Sequence, residues 1–522
     1  MKLNRLWIEE FKNLKDFEID FAPDSPYTVL VGQNGSGKSN IFEALLQIFD
    51  GLERHRAPEF AYKLEYNCRG RRINIECDPV RKVQKTRISI TSKDDPTMLE
   101  GVPASQFFLE AGDPSKRLLP EFVFGYYSGL CDRFSRPFDD YQRKYSSKLR
   151  TMPAGEILPR RLLYGSLTIV DILLIALWAH KLHEKRDSSI LEALDLSGIR
   201  DVILAVRPPE YFDPEIHEPK TMGLQGLMLE FVNYLTLSSD GEPDFMGSGK
   251  KSERRYRFSD NGLNRLAEMS NNRGTNLFNV LLEARQHRIL SSVSLRLDVK
   301  GGLNIGYEEL SEGEKQLLLV MGTLRFAEHE EALFLLDEPD THLNPRWSVT
   351  YTDMIEEELG HKPKAHIILA THDPLMLTEL NKQEVQILHR DSKTGMIDVM
   401  PCPYSPKEMG VDGLLTSELF GLRAPIGKEV QGMINDRARL LAKGNSITPQ
   451  EDQDLRDITA NLDRMGYAKV FADPIYTRFV AAMGKRPEFM KPVLSPEEMA
   501  EQDRFANEVL DEIMKGSSND SH

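Results

Sequence analysis

The sequence predicts an α/β fold, a mixed sheet with a separate antiparallel lobe, from three observations. The first is Tyr27-Thr28-Val29-Leu30-Val31, an apolar run that reads as a buried strand. It feeds Gly32-Gln33-Asn34-Gly35-Ser36-Gly37-Lys38-Ser39, and residues 40–46 then carry the apolar spacing of a helix. The second is a pair of later apolar runs, 332–336 and 366–370, each closing on polar residues. The third is a series of runs, 2–9, 16–21, 64–68, 72–77 and 86–90, that alternate apolar and polar as half-buried antiparallel strands do.

Taken in order, residues 2–9, a turn at 10–15 and 16–21 form a hairpin ahead of the glycine loop. Strands follow the first helix at 64–68, 72–77, 86–90 and 122–127. The character then changes. Helical periodicity covers 169–185, 224–237 and 263–290; a strand at 202–206 is ended by Pro208-Pro209, and 238–252 is a loop rich in Gly, Ser, Asp and Pro. No heptad is sustained, so no long coiled-coil arm is expected. Strands resume at 293–297 and 303–305, and 384–389 and 395–400 read as a further pair. From Val411 onward the chain is helical, broken by Pro449, Pro474, Pro487, Pro492 and Pro496. The expected organisation is an N-terminal lobe at 1–135, a mostly helical insertion at 136–292, a C-terminal lobe at 293–405, a helical region at 406–515 and a disordered tail at 516–522.

Length and composition bound the function classes. A chain of 522 residues exceeds one compact core, and 40% hydrophobic with 28% charged residues is globular composition. The most apolar segment, 173–179, falls well short of the roughly 20 residues of a membrane span. No secretory signal is recognisable, and Cys68, Cys77, Cys131 and Cys402 include no CxxC pair, so a reducing cytoplasm is the expected compartment. A net charge of −15 restricts any nucleic-acid contact to local basic patches.

The glycine loop carries the chemistry. Its glycines let the backbone wrap a polyphosphate at a helix N-terminus that favours anions. Lys38 would reach the β- and γ-phosphates, and the Ser39 hydroxyl would take one position on Mg²⁺. The run 332–336 delivers Asp337 and Glu338 at its tip: Asp337 for Mg²⁺, Glu338 to polarise an attacking water. His372, just past the strand at 366–370, is placed to sense a γ-phosphate. Ser311 is a natural N-cap with Glu314 three residues on, which reads as a helix start. With Gly313, the same N-terminus also offers a second, looser phosphate site.

Together, Gly32–Ser39, 310–316, 332–338, Asp340-Thr341-His342 and His372 resemble the Walker A, signature, Walker B, D-loop and H-loop of ABC-type ATPase heads. The chain is most similar to the SMC, RecF and overcoming-lysogenization-defect branch, whose opening reads like Phe11-Lys12-Asn13-Leu14. The resemblance covers about 1–130 and 290–400. It implies ATP hydrolysis to ADP and phosphate with Mg²⁺, and nucleotide contacts from Asn34, Gly35, Ser36, Gly37, Lys38, Ser39 and Asn40. It further implies at least a homodimer in which Ser311, Gly313 and Glu314 act on the partner's nucleotide. The family's Q-loop glutamine is not declared; Gln84, Gln106 and the turn Tyr126-Tyr127-Ser128-Gly129 are all candidates.

The output is less explicit. Neither the Asp-x-Asp arrangement of a Toprim nuclease nor the pattern of an HNH nuclease is present, since Asp452-Gln453-Asp454 and Asp511-Glu512 lie in helical stretches; no intrinsic nuclease is expected. Residues 410–422 and Phe471-Ala472-Asp473-Pro474-Ile475-Tyr476 are similar to tails of stand-alone bacterial defence ATPases of the Septu and retron-associated type, which work beside an HNH nuclease subunit. Basic stretches at 69–72, 81–85, 160–161 and above all 250–257 are candidate nucleic-acid loops, or else solvated surface. Two function classes follow: the ATPase of an anti-phage defence complex that controls a nuclease, or a repair or chromosome-maintenance ATPase that clamps DNA without one. No membrane partner is expected.

Overall fold

The computed structural model describes residues 1–21, 25–113, 116–129, 134–151, 160–185, 188–213, 215–218, 220–247, 252–271, 277–327, 330–360, 364–391, 394–417, 419–420, 428–441, 443, 447–465 and 496–517. The chain opens with β1 (Lys2–Phe11), β2 (Leu14–Asp20), β3 (Tyr27–Gly32) and α1 (Lys38–Glu53). Next come β4 (Tyr62–Cys68), β5 (Arg71–Cys77), β6 (Thr86–Thr91), β7 (Leu99–Val102), α2 (Ala104–Ala111), β8 (Phe122–Tyr127) and α3 (Ser135–Thr151). The middle holds β9 (Leu162–Gly165), α4 (Val170–Glu184), α5 (Ser189–Ala193), β10 (Leu196–Val206), α6 (Gly226–Ser238), β11 (Asp244–Met246), β12 (Glu253–Phe258), α7 (Asp260–Asn271) and α8 (Leu277–Gln286). Then follow β13 (Leu290–Val299), β14 (Leu303–Gly306), α9 (Glu312–Phe326), β15 (Ala332–Asp337), α10 (Pro345–Leu359), β16 (His366–Ala370), β17 (Val385–Arg390) and β18 (Ile397–Pro401). Four helices close the described chain: α11 (Gly410–Thr416), α12 (Lys428–Leu441), α13 (Pro449–Arg464) and α14 (Pro496–Ser517).

Three sheets result. Six strands in the order β2-β1-β4-β5-β6-β7 pair antiparallel and form the N-terminal lobe. Seven strands in the order β18-β17-β3-β16-β15-β8-β9 form the central sheet, parallel except where β18 turns back on β17. Five strands, β11-β12-β10-β13-β14, form a further antiparallel sheet. The fold is therefore α/β, as the sequence predicts. Within 136–292 the helices are accompanied by β9, which joins the central sheet, and by β10, β11 and β12; of these only the second half of β10 is read from sequence. Of the basic stretch expected as a loop at 250–257, residues 253–257 instead enter the sheet in β12. Alternation decides it: Tyr256 and Phe258 turn inward, while Arg255 and Arg257 face out on the side of Glu253, which pairs with Arg255.

The core explains α1. Ile41, Phe42, Leu45, Leu46, Ile48 and Phe49 are all buried, in one apolar cluster with Leu3, Leu6 and Phe17 of the antiparallel sheet and Leu333, Leu335 and Ile368 of the central sheet. A helix covered on both sides needs no wide polar face, and each such side chain contributes about 1.5–3 kcal/mol relative to exposure. At α9 a Cβ added to Gly322 would stand 2.8 Å from Leu177 Cδ1, so the glycine sets how closely α9 and α4 approach. His366 stitches β16 to its neighbours: Leu3 N–H donates to Nδ1 at 3.1 Å and Nε2 meets Thr28 Oγ1 at 3.2 Å.

The chain divides into two compact units, Met1–Tyr404 and Ser405–His522. The second contains α11 to α14; α13 begins at Thr448, whose hydroxyl and backbone N–H both donate to Glu451 at 3.0 Å. Asp452 pairs with Arg456 along α13. Helix α14 continues to Ser517, past the expected start of the tail, while 518–522 and the segment 471–476 lie outside the described residues.

Candidate nucleotide site

Strand β3 lies between β16 and β17, and this central position drives the glycine loop out at the sheet's C-terminal edge. Gly35 and Gly37 adopt φ +83° and +91°, left-handed values that favour glycine. Gly37 is the N-cap of α1 and supplies no side-chain cap, which leaves first-turn N–H groups for an anion. A Cβ on Gly32 would clash with the Leu388 carbonyl oxygen. The loop borders a cavity of about 190 Å³ lined by Asn13, residues 34–40, Glu338 and His372. Ser36 Oγ is buried there without a hydrogen-bond partner. An orphaned hydroxyl and uncapped N–H groups fit a polyphosphate.

Lys38 donates to the Gly32 carbonyl at 2.7 Å and contacts His372 Nε2 at 2.8 Å. Burial lowers its pKa to about 8, against the opposing pull of Asp337 and Glu338. Burial and then Lys38 lower His372 as well, with Glu338 raising it from 3.5 Å. Because the ammonium can only donate, His372 Nε2 accepts. Asp337 is 1% exposed at the end of β15, one strand from β3 across β16. Glu338 follows at φ +53°, a strained value for a side chain with a Cβ, pinned by its N–H to Ala370 O at 2.8 Å. Ser39 and Asp337 present hard oxygen donors of the kind that hold Mg²⁺. Asp340 behind them is raised to about 6 by burial.

The signature segment is built but stands elsewhere. Ser311 Oγ accepts from Glu314 N–H at 3.3 Å, and Glu314 accepts from the Ser311 N–H at 2.7 Å, a complete capping box. Gly313 has no room for a Cβ against the His342 carbonyl oxygen, Gln316 donates to Pro339 O, and Glu312 lies 3.7 Å from His342. The start of α9 is thus docked on the D-loop of its own chain. None of Ser311, Gly313 and Glu314 lines the glycine-loop cavity.

Two further features complete the site. Asn13 lines the cavity, donates to Gly35 O at 3.1 Å and accepts from Asn40; the opening Lys12-Asn13 was its signal, though spacing alone gives it no role. Of the Q-loop candidates, Gln84 lies between β5 and β6, and Gln106 lies on α2, donating to Glu110. The turn after β8 is the one at the carboxylates: Ser128 N–H donates to Asp337 O at 3.3 Å, and Ser128 Oγ accepts from Thr341 at 3.1 Å. The basic stretches are largely ion-paired. Arg69 pairs with Glu121, Arg72 with Glu65, Arg255 with Glu253 and Arg257 with Asp244, while Arg160 is buried against Glu283. Lys250 and Lys251 lie outside the described residues.

Comparison with known proteins finds partial matches. A family model described as an AAA domain, putative AbiEii toxin of a Type IV TA system, matches residues 188–378, and an AAA ATPase domain model matches 1–100. The Septu protein PtuA of Bacillus mycoides is 29% identical over 168 residues, 32% of this chain and 23% of that one. A probable ATPase of retron Vc95 from Vibrio cholerae is 29% identical over 102 residues, 17% of this chain and 19% of that one. The replication and repair protein RecF of Desulfitobacterium hafniense is 29% identical over 133 residues, 20% and 36% of the two chains. The matches to the two defence ATPases thus span less than a quarter of those proteins. An SMC head domain from Thermotoga maritima aligns at TM-score 0.33 and 13% identity, covering 77% of this chain and 99% of that one. Among the described residues no helix is long and apolar enough to cross a membrane. Over the matched parts the chain resembles RecF and the defence ATPases of the Septu and retron type, alongside the two AAA family models.

Proposed function

We propose that the chain is the ATP-hydrolysing subunit of a bacterial anti-phage defence complex, in which ATP-dependent pairing of two heads controls an associated nuclease. One observation carries the pairing: Lys38, Glu338 and His372, drawn from segments about three hundred residues apart, line one cavity, with Asp337 buried close enough to act on Lys38, and Ser311 and Gly313 are absent from it. A second copy's α9 would supply them. In this reading the glycine-loop amides and Lys38 hold the phosphates, Glu338 polarises the water and His372 contacts the γ-phosphate. Ser39 and Asp337 would hold Mg²⁺, which would supply neutralisation of the phosphate charge.

The nuclease partner, of the HNH kind, follows from the resemblance to Septu- and retron-type ATPases, and the amphipathic helices of 406–515 are the proposed dock. Nucleic acid would be met through basic surface that includes β12, Arg257 exchanging Asp244 for a phosphate. Charge reversal at Arg254 and Arg257 should lower DNA affinity and flatten its salt dependence; an unchanged salt slope removes that contact. The defence role is tested by expressing the chain with its neighbouring genes and challenging the cells with phage. Protection lost on Lys38→Ala, together with co-elution of a nuclease, supports the reading. Protection that ignores Lys38→Ala, or a chain that elutes with no nuclease, contradicts it and favours the repair class.

A further inference from the structure

A basic cavity lies at the opposite end of α1 from the glycine loop. It has a volume of about 580 Å³, between the end of α1, α2 and α3. Five cations line it, Arg54, Arg56, Arg117, Lys144 and Arg161, and Glu53 is the one lining carboxylate among the described residues. On a chain of net charge −15 that concentration needs a cause. A helix C-terminus favours a cation or two in its last turn, which accounts for Arg54. It does not account for Arg117, Lys144 and Arg161, which come from three other segments.

The cations differ in what already satisfies them. Arg54 bridges to Asp50 and Asp140, and Arg117 to Glu53 and the Pro120 carbonyl, so these two guanidinium groups are fixed in place. Among the described residues, the Arg161 guanidinium donates to one carbonyl, Glu121 O at 3.2 Å, and Arg161, Arg56 and Lys144 have no ion pair within 4 Å. Burial, and after it Arg117, depress the Arg161 pKa, as expected for a cation facing another cation out of water. Aromatic rings sit beside the charges. His55, held at φ +56°, stacks on Phe108 at 4.4 Å with 20° between the planes, and Tyr141 stacks on Tyr145 at 5.7 Å. Converging guanidinium groups suit a phosphate dianion, and the exposed His55 ring, backed by Phe108, offers a face to a base. The volume is that of a small-ligand site rather than a groove for a passing duplex.

We propose that this cavity binds a terminal phosphate carrying an aromatic base, either a free nucleoside monophosphate or the phosphorylated end of a nucleic-acid strand. The site is separate from the glycine-loop cavity and stands whether or not the ATPase reading holds.

The test uses the full chain and two phosphorylated probes: adenosine monophosphate by calorimetry and a short 5′-phosphorylated single strand by fluorescence anisotropy. Adenosine and the same strand with a 5′-hydroxyl are the controls. The variants are Arg56→Glu with Lys144→Glu, both exposed and neither breaking an ion pair, and separately Lys38→Ala. At least one phosphorylated probe should bind about tenfold more tightly than its control, and the double substitution should erase that preference at an unchanged melting temperature. Lys38→Ala should leave it intact. Binding of the monophosphate identifies a free nucleotide as the ligand, and binding of the strand alone identifies a strand end. The proposal is overturned if neither phosphorylated probe exceeds its control, if the double variant keeps the preference, or if Lys38→Ala abolishes it.

Discussion

At the residue scale, the cavity works by setting charges against one another out of water. Lys38 is buried beside two carboxylates and a neutral imidazole, so a nucleotide's phosphates would complete its solvation rather than compete with it. Lys38→Ala should therefore abolish ATP binding in a nucleotide-binding assay. Glu338→Gln should lower hydrolysis by about 10²- to 10⁴-fold in a phosphate-release assay while nucleotide binding persists. Asp50 gives a pH prediction outside the site. Burial, opposed by Arg54, lifts its carboxyl from the ordinary 3.8 to about 6. The folded chain thus takes up a proton there between those values, a contribution present below about pH 4 and lost as pH rises to 6. The melting temperature of Asp50→Asn, relative to the parent, should climb from pH 4 to pH 7; a constant difference would refute the shift. The carboxylates and the histidine were legible in the sequence because each follows a strand. Sequence could not separate His372 from His366 by type: only pairing shows that one ring is consumed by β1 and β3 while the other borders a cavity. Asn13 was hidden because it acts through a turn of another lobe.

At the element scale, α9 has two roles that can be pulled apart. Its capping box stabilises the helix start, so Ser311→Ala should cost about 1 kcal/mol in urea unfolding of the nucleotide-free chain. Gly313→Ala would push against the His342 carbonyl and should cost about 1–3 kcal/mol, disturbing the D-loop in the same chain. If Gly313 acted only on a partner's nucleotide, that stability would not change. Arg160 and Glu283, each 3% exposed, form a buried pair joining the start of β9 to α8. Removing Arg160 alone should cost about 3–5 kcal/mol, and Arg160→Met with Glu283→Leu should recover most of it. Strands with clean alternation or continuous apolar runs were legible: the one at 122–127 coincides with β8. Strand β12 was not, because its outward positions are arginines and the stretch reads as a charge run until β11 supplies Asp244 to Arg257 and the strand's own Glu253 meets Arg255.

At the scale of the whole molecule, the sequence pattern reached the α/β class and the order of the motifs, since each motif sits at a strand or helix end that hydrophobic period alone locates. It did not assemble the five-stranded sheet: strands were legible at 202–206, 293–297 and 303–305, but β11 and β12 read as loop and the pairing of β10 with β13 joins segments distant in the chain. Nor could it show that the signature helix is docked on its own D-loop and away from its own glycine loop. In the proposed reading, a single chain then carries two halves of a site that do not meet. The direct measurement is the solution mass of Glu338→Gln by light scattering, with and without ATP and magnesium. The account predicts the mass of one chain without nucleotide and of two with ATP, reverting to one when Ser311→Arg is added. A Glu338→Gln chain whose mass is the same in both conditions would contradict it.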